Sequence, residues 1–165
     1  MSRPVVVSDS GPLIALAGCG HLDLLIAVFD GVHVPQAVLD ESTLDRSRPG
    51  AADGAAFVQA RGKVHPDRED AIYTAAASHL DEGEAQALSL AHALGCGVLM
   101  DERRGRQTAI RLRLPLFGVL GVLLQAKRIG KIERIAPALD RMQANGYRIS
   151  QALLDAALKL AGEAD

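Results

Sequence analysis

The sequence predicts an α/β fold with a central, mostly parallel sheet and helices on both of its faces. The first observation is the run Val5-Val6-Val7, because three successive β-branched residues are typical of a strand buried on both faces of a parallel sheet. The second is the alternation of short apolar strand candidates with helical segments, which favours right-handed crossovers between parallel strands. Because 165 residues suffice for one sizeable core but hardly for two, we expect a single domain over residues 1–165.

The predicted elements follow one another as alternating short strands and helices. The predicted strands cover residues 5–7, 32–34, 64–65, 98–101 and 114–117. The predicted helices cover residues 13–17, 22–28, 36–44, 55–60, 80–94, 103–112, 119–128, 132–144 and 150–161. Pro35 suits the first position of the third helix, and the polar segment 45–54 indicates a loop. We expect a helical C-terminal extension from about residue 131.

Composition argues against several classes of protein. The net charge of −2 gives no bulk attraction to nucleic acid, so a nucleic-acid binder would need a local basic patch. Cys19 and Cys96 lie far apart without zinc-ligand spacing, and we expect two buried free thiols in a reducing cytosol. No leader is recognisable and no stretch approaches the ~20 uncharged residues of a membrane span. We therefore expect a cytoplasmic protein that does not bind membranes.

Two aspartates mark the carboxyl ends of predicted strands. Asp9 follows the first strand and begins the sequence Asp-Ser-Gly-Pro, which is typical of turns and of helix N-termini. Asp101 follows Val98-Leu99-Met100. Ligands of open α/β sheets bind at this edge. Because adjacent parallel strands lie ~4.8 Å apart, two such acids can nearly touch. Each could instead be the N-cap of the helix that follows it, since Asp is a favoured cap.

A glutamate continues the apolar face of the helix predicted over residues 80–94. Glu84 lies in line with that face at helical spacing, near the start of the helix. Glu82 shares its face with Gln86 and Ser89, and we expect Glu82 to look toward solvent. The structural alternative for Glu84 is a capping box with Asp81, which would make its position unremarkable by itself.

A second glutamate repeats this pattern in the helix predicted over residues 36–44. Glu41 lies at four- and three-residue steps from Val34 and Val38, so it continues an apolar face. Its alternative is a solvated acid at a fraying helix end. An unpaired carboxylate on a buried face costs several kcal/mol, so such an acid needs a partner or a cation.

Taken together, Asp9, Glu41, Glu84 and Asp101 predict a divalent-cation site. Carboxylates that lie close together repel one another unless a cation neutralises them, and all-oxygen ligands suit Mg²⁺ or Mn²⁺. Such a metal can generate hydroxide and stabilise charge that develops on a phosphodiester. Just beyond Asp101, a basic cluster could hold a nucleic-acid backbone beside the acids. Its residues are Arg103, Arg104 and Arg106. A solvated helix face is the alternative for this cluster.

Four motifs in order resemble those of PIN-domain proteins. They are Val-Val-Ser-Asp-Ser-Gly-Pro-Leu, Val-Pro-Gln-Ala-Val-Leu-Asp-Glu, Asp-Glu-Gly-Glu-Ala-Gln-Ala-Leu and Leu-Met-Asp-Glu-Arg-Arg-Gly-Arg. The similarity is to a prokaryotic PIN-like family related to VapC-type toxins, and it runs from about residue 5 to the Tyr-Arg-Ile-Ser stretch at residues 147–150.

The resemblance implies a three-layer α/β/α fold and a ribonuclease that depends on Mg²⁺ or Mn²⁺. It implies that Asp9 and Asp101 are the primary metal ligands, that Glu84 completes the site, and that Glu41 binds a metal or orients the attacking water. It also implies an RNA substrate, a cognate antitoxin protein and a homodimer.

Other functions are compatible with parts of the sequence. The main alternative is a non-catalytic PIN-like module that binds protein or RNA. A phospho-acceptor receiver domain would need an acidic pair near the first strand, where only Asp9 stands, and a suitably placed Lys, whereas Lys127 lies inside a predicted helix. A haloacid-dehalogenase-like phosphatase would need Asp-x-Asp where this chain has Asp9-Ser10-Gly11.

Overall fold

The protein is described by a computed structural model that covers residues 2–165. Its centre is a five-stranded sheet in the order β3-β2-β1-β4-β5, and every pairing is parallel. The strands are β1 Val5–Ser8, β2 Gly31–Pro35, β3 Lys63–His65, β4 Gly97–Leu99 and β5 Leu116–Phe117. The predicted sheet is therefore confirmed, and it is wholly parallel.

Helices connect the strands and follow the last one. They are α1 Ser10–Gly18, α2 Asp23–Val28, α3 Gln36–Leu44, α4 Ala51–Arg61, α5 Ala71–Ala77, α6 Glu82–Leu94, α7 Arg103–Arg111, α8 Val119–Arg128, α9 Ala136–Ala144 and α10 Gln151–Leu160. Within residues 2–165, no helix combines the length and the apolar content that a membrane crossing requires.

The valine run of β1 lies at the middle of the sheet, as its composition predicts. Val6 and Val7 are both 0% exposed, and they point to opposite faces because successive side chains of a strand alternate. Val6 belongs to a large apolar core with α1, α2, α8 and α9, whereas Val7 belongs to a smaller core with α5, α6 and α7. The molecule thus has three layers, α/β/α.

Several element boundaries differ from the sequence-based expectation, and one helix was not predicted. The predicted loop 45–54 ends earlier, because Gly50 adopts a left-handed backbone at φ 78° against α1 and α4 starts directly after it. Helix α5 was not predicted; Asp70 caps it by accepting from the backbone N–H of Tyr73 at 2.9 Å. Pro35 ends β2 and is the N-cap of α3, one position before its predicted place in the first turn of the helix. Helix α9 begins at Ala136 and not at 132. At its start, the carboxylate of Glu163 accepts hydrogen bonds from the backbone N–H groups of Ile135 and Ala136.

Gln86 and Ser89 are buried, although they share a helical face of α6 with Glu82. They are 2% and 0% exposed, because the segment before α5 covers them. The amide oxygen of Gln86 accepts from the backbone N–H of Arg68 at 2.8 Å, and the Ser89 hydroxyl donates to Asp70 at 2.8 Å. Glu82 is exposed, as expected.

Both cysteines are free thiols, as predicted. Cys19 is buried as expected, but Cys96 is only half-buried. Two of the histidines have a packing role: Nδ1 of His33 lies 2.8 Å from Nε2 of His65, and the two rings link β2 to β3.

Candidate active site

Asp9 lies at the carboxyl end of the central strand and is 4% exposed. Its backbone N–H donates to the carbonyl of Leu99 at 3.0 Å, which continues the β1–β4 pairing one residue beyond β1. The residue occupies the N-cap position of α1, but its side chain does not bond to the first turn of that helix. Its Oδ1 atom is buried and has no hydrogen-bond partner within residues 2–165. A simple helix cap therefore does not explain Asp9.

The surroundings of Asp9 disfavour its charged form. Burial raises the pKa of Asp9 to about 8, the backbone N–H of Ser10 opposes this rise, and the neighbouring carboxylates of Asp81, Glu84 and Glu41 add to it. The metal-free protein thus holds Asp9 largely protonated at neutral pH. A bound cation would be expected to displace this proton, because a nearby positive charge favours the ionised carboxylate.

Asp101 lies just beyond β4 at the same edge of the sheet. Its Oδ1 accepts from the backbone N–H of Val119 at 3.1 Å, so it holds the start of α8 and not that of α7. Its Oδ2 is buried and forms no hydrogen bond of standard geometry in the described part of the chain, although the Tyr147 hydroxyl lies beside the carboxylate. Burial raises the pKa of Asp101, and the nearby Tyr147 hydroxyl, the Val119 N–H and the Arg106 guanidinium offset this only in part.

Glu84 forms the capping box that the sequence analysis gave as its alternative. Its backbone N–H donates to Asp81 Oδ1 at 2.8 Å, and its carboxylate accepts from the Asp81 backbone N–H at 3.3 Å. Glu84 is also 8% exposed, and burial followed by the Asp81 carboxylate raises its pKa. The capping box and a buried position at the sheet edge therefore occur together.

Glu41 is held between two helices rather than solvated at a fraying end. Its Oε2 accepts from the Ser10 hydroxyl at 3.0 Å, and its Oε1 accepts from the backbone N–H of Gly83 at 2.9 Å. Burial raises the pKa of Glu41, although both hydrogen bonds oppose the rise. A methyl group at Gly83 would lie 2.7 Å from Cδ of Glu41, so only glycine leaves room for the carboxylate at this position.

Three of the four predicted acids lie close enough together for electrostatic repulsion, and Asp81 is a further carboxylate in this group. Asp9, Glu41 and Glu84 each have a pKa that Asp81 helps to raise, whereas Asp101 joins the edge from the neighbouring strand. Among the residues that the structure describes, no three His, Cys, Asp or Glu side chains converge closely enough to form a closed metal cage. The donor set nevertheless fits a hard cation, because two of its buried carboxylate oxygens have no other partner.

The three predicted RNA-binding arginines fall into two groups. Arg103 and Arg104 lie exposed on the first turn of α7. Arg106 is half-buried, and its guanidinium donates to the carbonyl of Met100 at 2.8 Å, at the end of β4. A methyl group at Gly118 would lie 3.0 Å from both Arg106 Nη1 and Asp101 Oδ1, so this glycine allows the two side chains to approach the start of α8.

Sequence reasoning missed four residues at this edge. Ser10 and Gly83 bind Glu41, Asp81 lies among the acids, and Tyr147 lies beside Asp101. The motifs contained the first three, because Ser10 follows Asp9, and Asp81 and Gly83 both precede Glu84 in the same motif. No local pattern indicates Tyr147, since it reaches the site from the C-terminal part of the chain.

Comparison with known proteins agrees with this fold. The family model described as "DUF3368: PIN domain" matches residues 5–163. The crystal structure of PAE2754 from Pyrobaculum aerophilum is similar in fold, with a TM-score of 0.53 and 19% sequence identity over 76% of this chain and 90% of that chain. No curated protein matches the sequence. The acidic strand edge thus lies in a fold of the nuclease type, and the chain belongs to the PIN-domain family.

Proposed function

We propose that this protein is a divalent-metal-dependent endoribonuclease that hydrolyses phosphodiester bonds of RNA. The observation that carries the proposal is the pair of buried carboxylate oxygens, Asp9 Oδ1 and Asp101 Oδ2, that have no partner in the described part of the chain. They stand at the carboxyl ends of neighbouring strands, where α/β folds bind ligands. PIN domains are generally nucleases, and they generally use divalent metals.

In this proposal each acid has its own task. Asp9 and Asp101 would hold Mg²⁺ or Mn²⁺, Glu84 would complete the site, and Glu41 would bind a metal or orient a water molecule. The bound cation would supply a Lewis acid that lowers the pKa of water and offsets charge on the phosphodiester. The Ser10 hydroxyl and the Gly83 N–H fix the Glu41 carboxylate, so that it needs little reorganisation.

We further propose that the chain is a single PIN-like domain that acts in the cytoplasm as the toxin of a toxin–antitoxin system. An apolar groove of about 1070 Å³ beside β5 and α8 supports a protein partner, either a cognate antitoxin or a second copy in a homodimer. Large apolar side chains at its margin are exposed, with Ile110 at 64%, Leu153 at 56% and Ile129 at 43%. Exposed apolar patches of this kind mark interaction sites.

A non-catalytic PIN-like module that binds protein or RNA is the second candidate. Two observations favour it: both oxygens of Glu41 already have hydrogen-bond partners, and Glu84 serves as part of a helix cap. In such a module these acids would be structural and would need no cation.

Cleavage of a labelled pool of single-stranded RNA separates the two candidates. We expect the purified protein, freed of any bound partner, to cleave the pool when Mn²⁺ is present and to lose this activity in EDTA. Absence of cleavage by protein that is folded by circular dichroism would favour the binding module.

The glycine beside Glu41 provides a second test. Gly83→Ala should lower cleavage about 10- to 100-fold, since the added methyl group displaces the Glu41 carboxylate from its position. Stability should change by less than about 1 kcal/mol, because alanine is the better helix former. Gly121→Ala in α8 is the matched control, as a methyl group there meets no atom within 4 Å. Cleavage rates and thermal melts of both variants check this, and equal cleavage by the two would count against a role for Glu41.

A further inference from the structure

A groove of about 690 Å³ leads away from Asp101 on the side of the molecule that carries α1. One face of α1 forms its floor through Gly11, Ile14, Ala15 and Gly18, which recur at three- and four-residue steps. Three of these four residues are Gly or Ala, so the floor is low and the groove runs along the helix. It therefore starts at the acidic edge of the sheet and continues past the end of α1.

Two segments from distant parts of the sequence form the walls of this groove, and both are fixed to the end of α1. Asn145 Nδ2 donates to the carbonyl of Gly18 at 3.1 Å, which holds the segment after α9. On the other side, the carbonyl of Pro49 would lie 3.4 Å from a methyl group at Gly18, so the segment before α4 also packs against the end of α1. The groove is thus preformed and does not depend on a ligand for its shape.

Each wall of the groove carries an arginine. Arg148 is exposed and forms no ion pair within residues 2–165. Arg48 faces Asp45 at 3.6 Å, but both side chains are nearly half exposed, at 43% and 49%, and such pairs are weak. At the end nearest the sheet, Asp101 and Glu102 line the groove instead. Cationic walls therefore lead to an anionic end.

We propose that this groove holds the backbone of a single-stranded RNA, with Arg48 and Arg148 contacting phosphates on one side of the proposed cleavage position. The inference rests on the proposed function, and it adds a path for the substrate that Arg103 and Arg104 do not provide. Positively charged grooves that follow a backbone are typical of single-strand binding, whereas double-stranded RNA is recognised across its minor grooves. Because the whole chain has a net charge of −2, this local pair of arginines matters more than the overall field.

Binding measured without metal tests the groove separately from catalysis. Fluorescence anisotropy of a labelled single-stranded RNA in EDTA, over a range of KCl concentrations, gives both affinity and salt dependence. We expect the double variant Arg48→Ala/Arg148→Ala to bind at least about 10-fold more weakly at 100 mM KCl. The slope of log affinity against log salt should fall by about 1.4, because two phosphate contacts on a single strand are lost. The matched control is Arg61→Ala/Arg128→Ala, whose exposed arginines lie outside the groove and should leave binding unchanged.

A neutral variant tests the shape of the groove without changing its charge. A methyl group at Gly11 would meet no atom within 4 Å, so Gly11→Ala should raise the floor of the groove without a clash. We expect weaker RNA binding with an unaltered salt slope.

Three results would contradict the proposal that this groove binds single-stranded RNA. They are wild-type affinity in the Arg48/Arg148 double variant, a loss of binding confined to Arg103→Ala/Arg104→Ala, and tighter binding of duplex RNA than of single-stranded RNA. Groove-dependent binding by a protein that fails to cleave with Mn²⁺ would support the groove and refute only the nuclease. If the wild-type protein cleaves RNA with Mn²⁺ but the Arg48/Arg148 double variant binds RNA normally, the nuclease proposal would be supported and the groove refuted.

Discussion

Replacing Asp9 by Asn is expected to abolish metal-dependent RNA cleavage and, at the same time, to stabilise the metal-free protein. Cleavage should fall by about 10³-fold or more, since the change removes an anionic oxygen from the proposed cation site and several kcal/mol of transition-state stabilisation with it. The gain in stability has a separate cause. Asp9 is 4% exposed and its Oδ1 has no partner within residues 2–165, so the folded protein must keep this carboxyl protonated far above its usual pKa, and a neutral amide avoids that cost.

The stabilisation by Asp9→Asn should depend on pH in a defined direction. The folded-state pKa of Asp9 is about 8, well above the value of about 3.9 expected in the unfolded chain. The folded state therefore binds the proton more tightly, and the wild-type protein loses stability as the pH rises from about 4 to about 8. Asn has no such proton to lose. The difference between variant and wild type should consequently be small near pH 4 and largest above pH 8, at about 3 kcal/mol or more.

Thermal or urea unfolding in EDTA at several pH values measures this effect. Asp140→Asn, which neutralises an exposed carboxylate on α9, is the control and should change stability by less than about 0.5 kcal/mol. Severe destabilisation by Asp9→Asn at every pH would show that the carboxylate is structural, as a helix cap would be.

Removal of the Glu163 carboxylate is the second change with a large expected effect. Its side chain is 5% exposed, and its two oxygens accept from the backbone N–H groups of Ile135 and Ala136 at 2.8 and 3.0 Å. The ammonium of Lys127 donates to it at 3.0 Å. Glu163→Ala would leave the N–H groups of Ile135 and Ala136 without a partner and would leave Lys127 only the carbonyl of Ala161, so we expect a loss of about 3 kcal/mol in the free energy of unfolding.

The pH dependence of the Glu163 contribution has the opposite sign to that of Asp9. Burial raises the pKa of Glu163, but the N–H groups of Ile135 and Ala136 and the charge of Lys127 outweigh burial and hold it below its usual value. This stabilisation is present above about pH 4.3 and is lost as the pH falls through the lower folded-state pKa.

Urea denaturation of Glu163→Ala and Glu163→Gln at pH 7 and at pH 3 tests the Glu163 contacts. The Glu163→Gln variant should lose less free energy of unfolding than Glu163→Ala, because its amide oxygen remains a hydrogen-bond acceptor. Glu133→Ala changes an exposed carboxylate just before α9 and is the control. A loss below about 1 kcal/mol for Glu163→Ala would mean that the C-terminal segment is held by apolar packing alone.

The sheet and the strand-end acids are readable from the sequence because local chemistry determines them. Val5-Val6-Val7 is typical of a strand in a parallel sheet, and Asp9 then lies at the carboxyl edge of that sheet. The capping box of Asp81 and Glu84 is likewise a signal within four residues, and the structure confirms it.

What the sequence could not reveal depends on contacts between distant segments. The periodicity of α6 places Gln86 on a polar face, and only the packing of Arg68 against it buries that face. The predicted RNA-binding role of Arg106 rested on its neighbours Arg103 and Arg104, but its guanidinium turns inward to the carbonyl of Met100. Tyr147 reaches Asp101 across 46 positions of the chain, and no local pattern encodes such an approach.

Binding of Mn²⁺ to the wild-type protein and to Asp9→Asn and Asp101→Asn, followed by calorimetry or electron paramagnetic resonance, tests the central claim most directly. That claim is that the two strand-end carboxylates together hold a divalent cation. We expect the wild-type protein to bind Mn²⁺ and each single variant to bind it at least about 10- to 100-fold more weakly, although both remain folded. Equal Mn²⁺ affinity in all three proteins, or no binding by the wild type, would contradict the account and leave the acidic edge with a structural role.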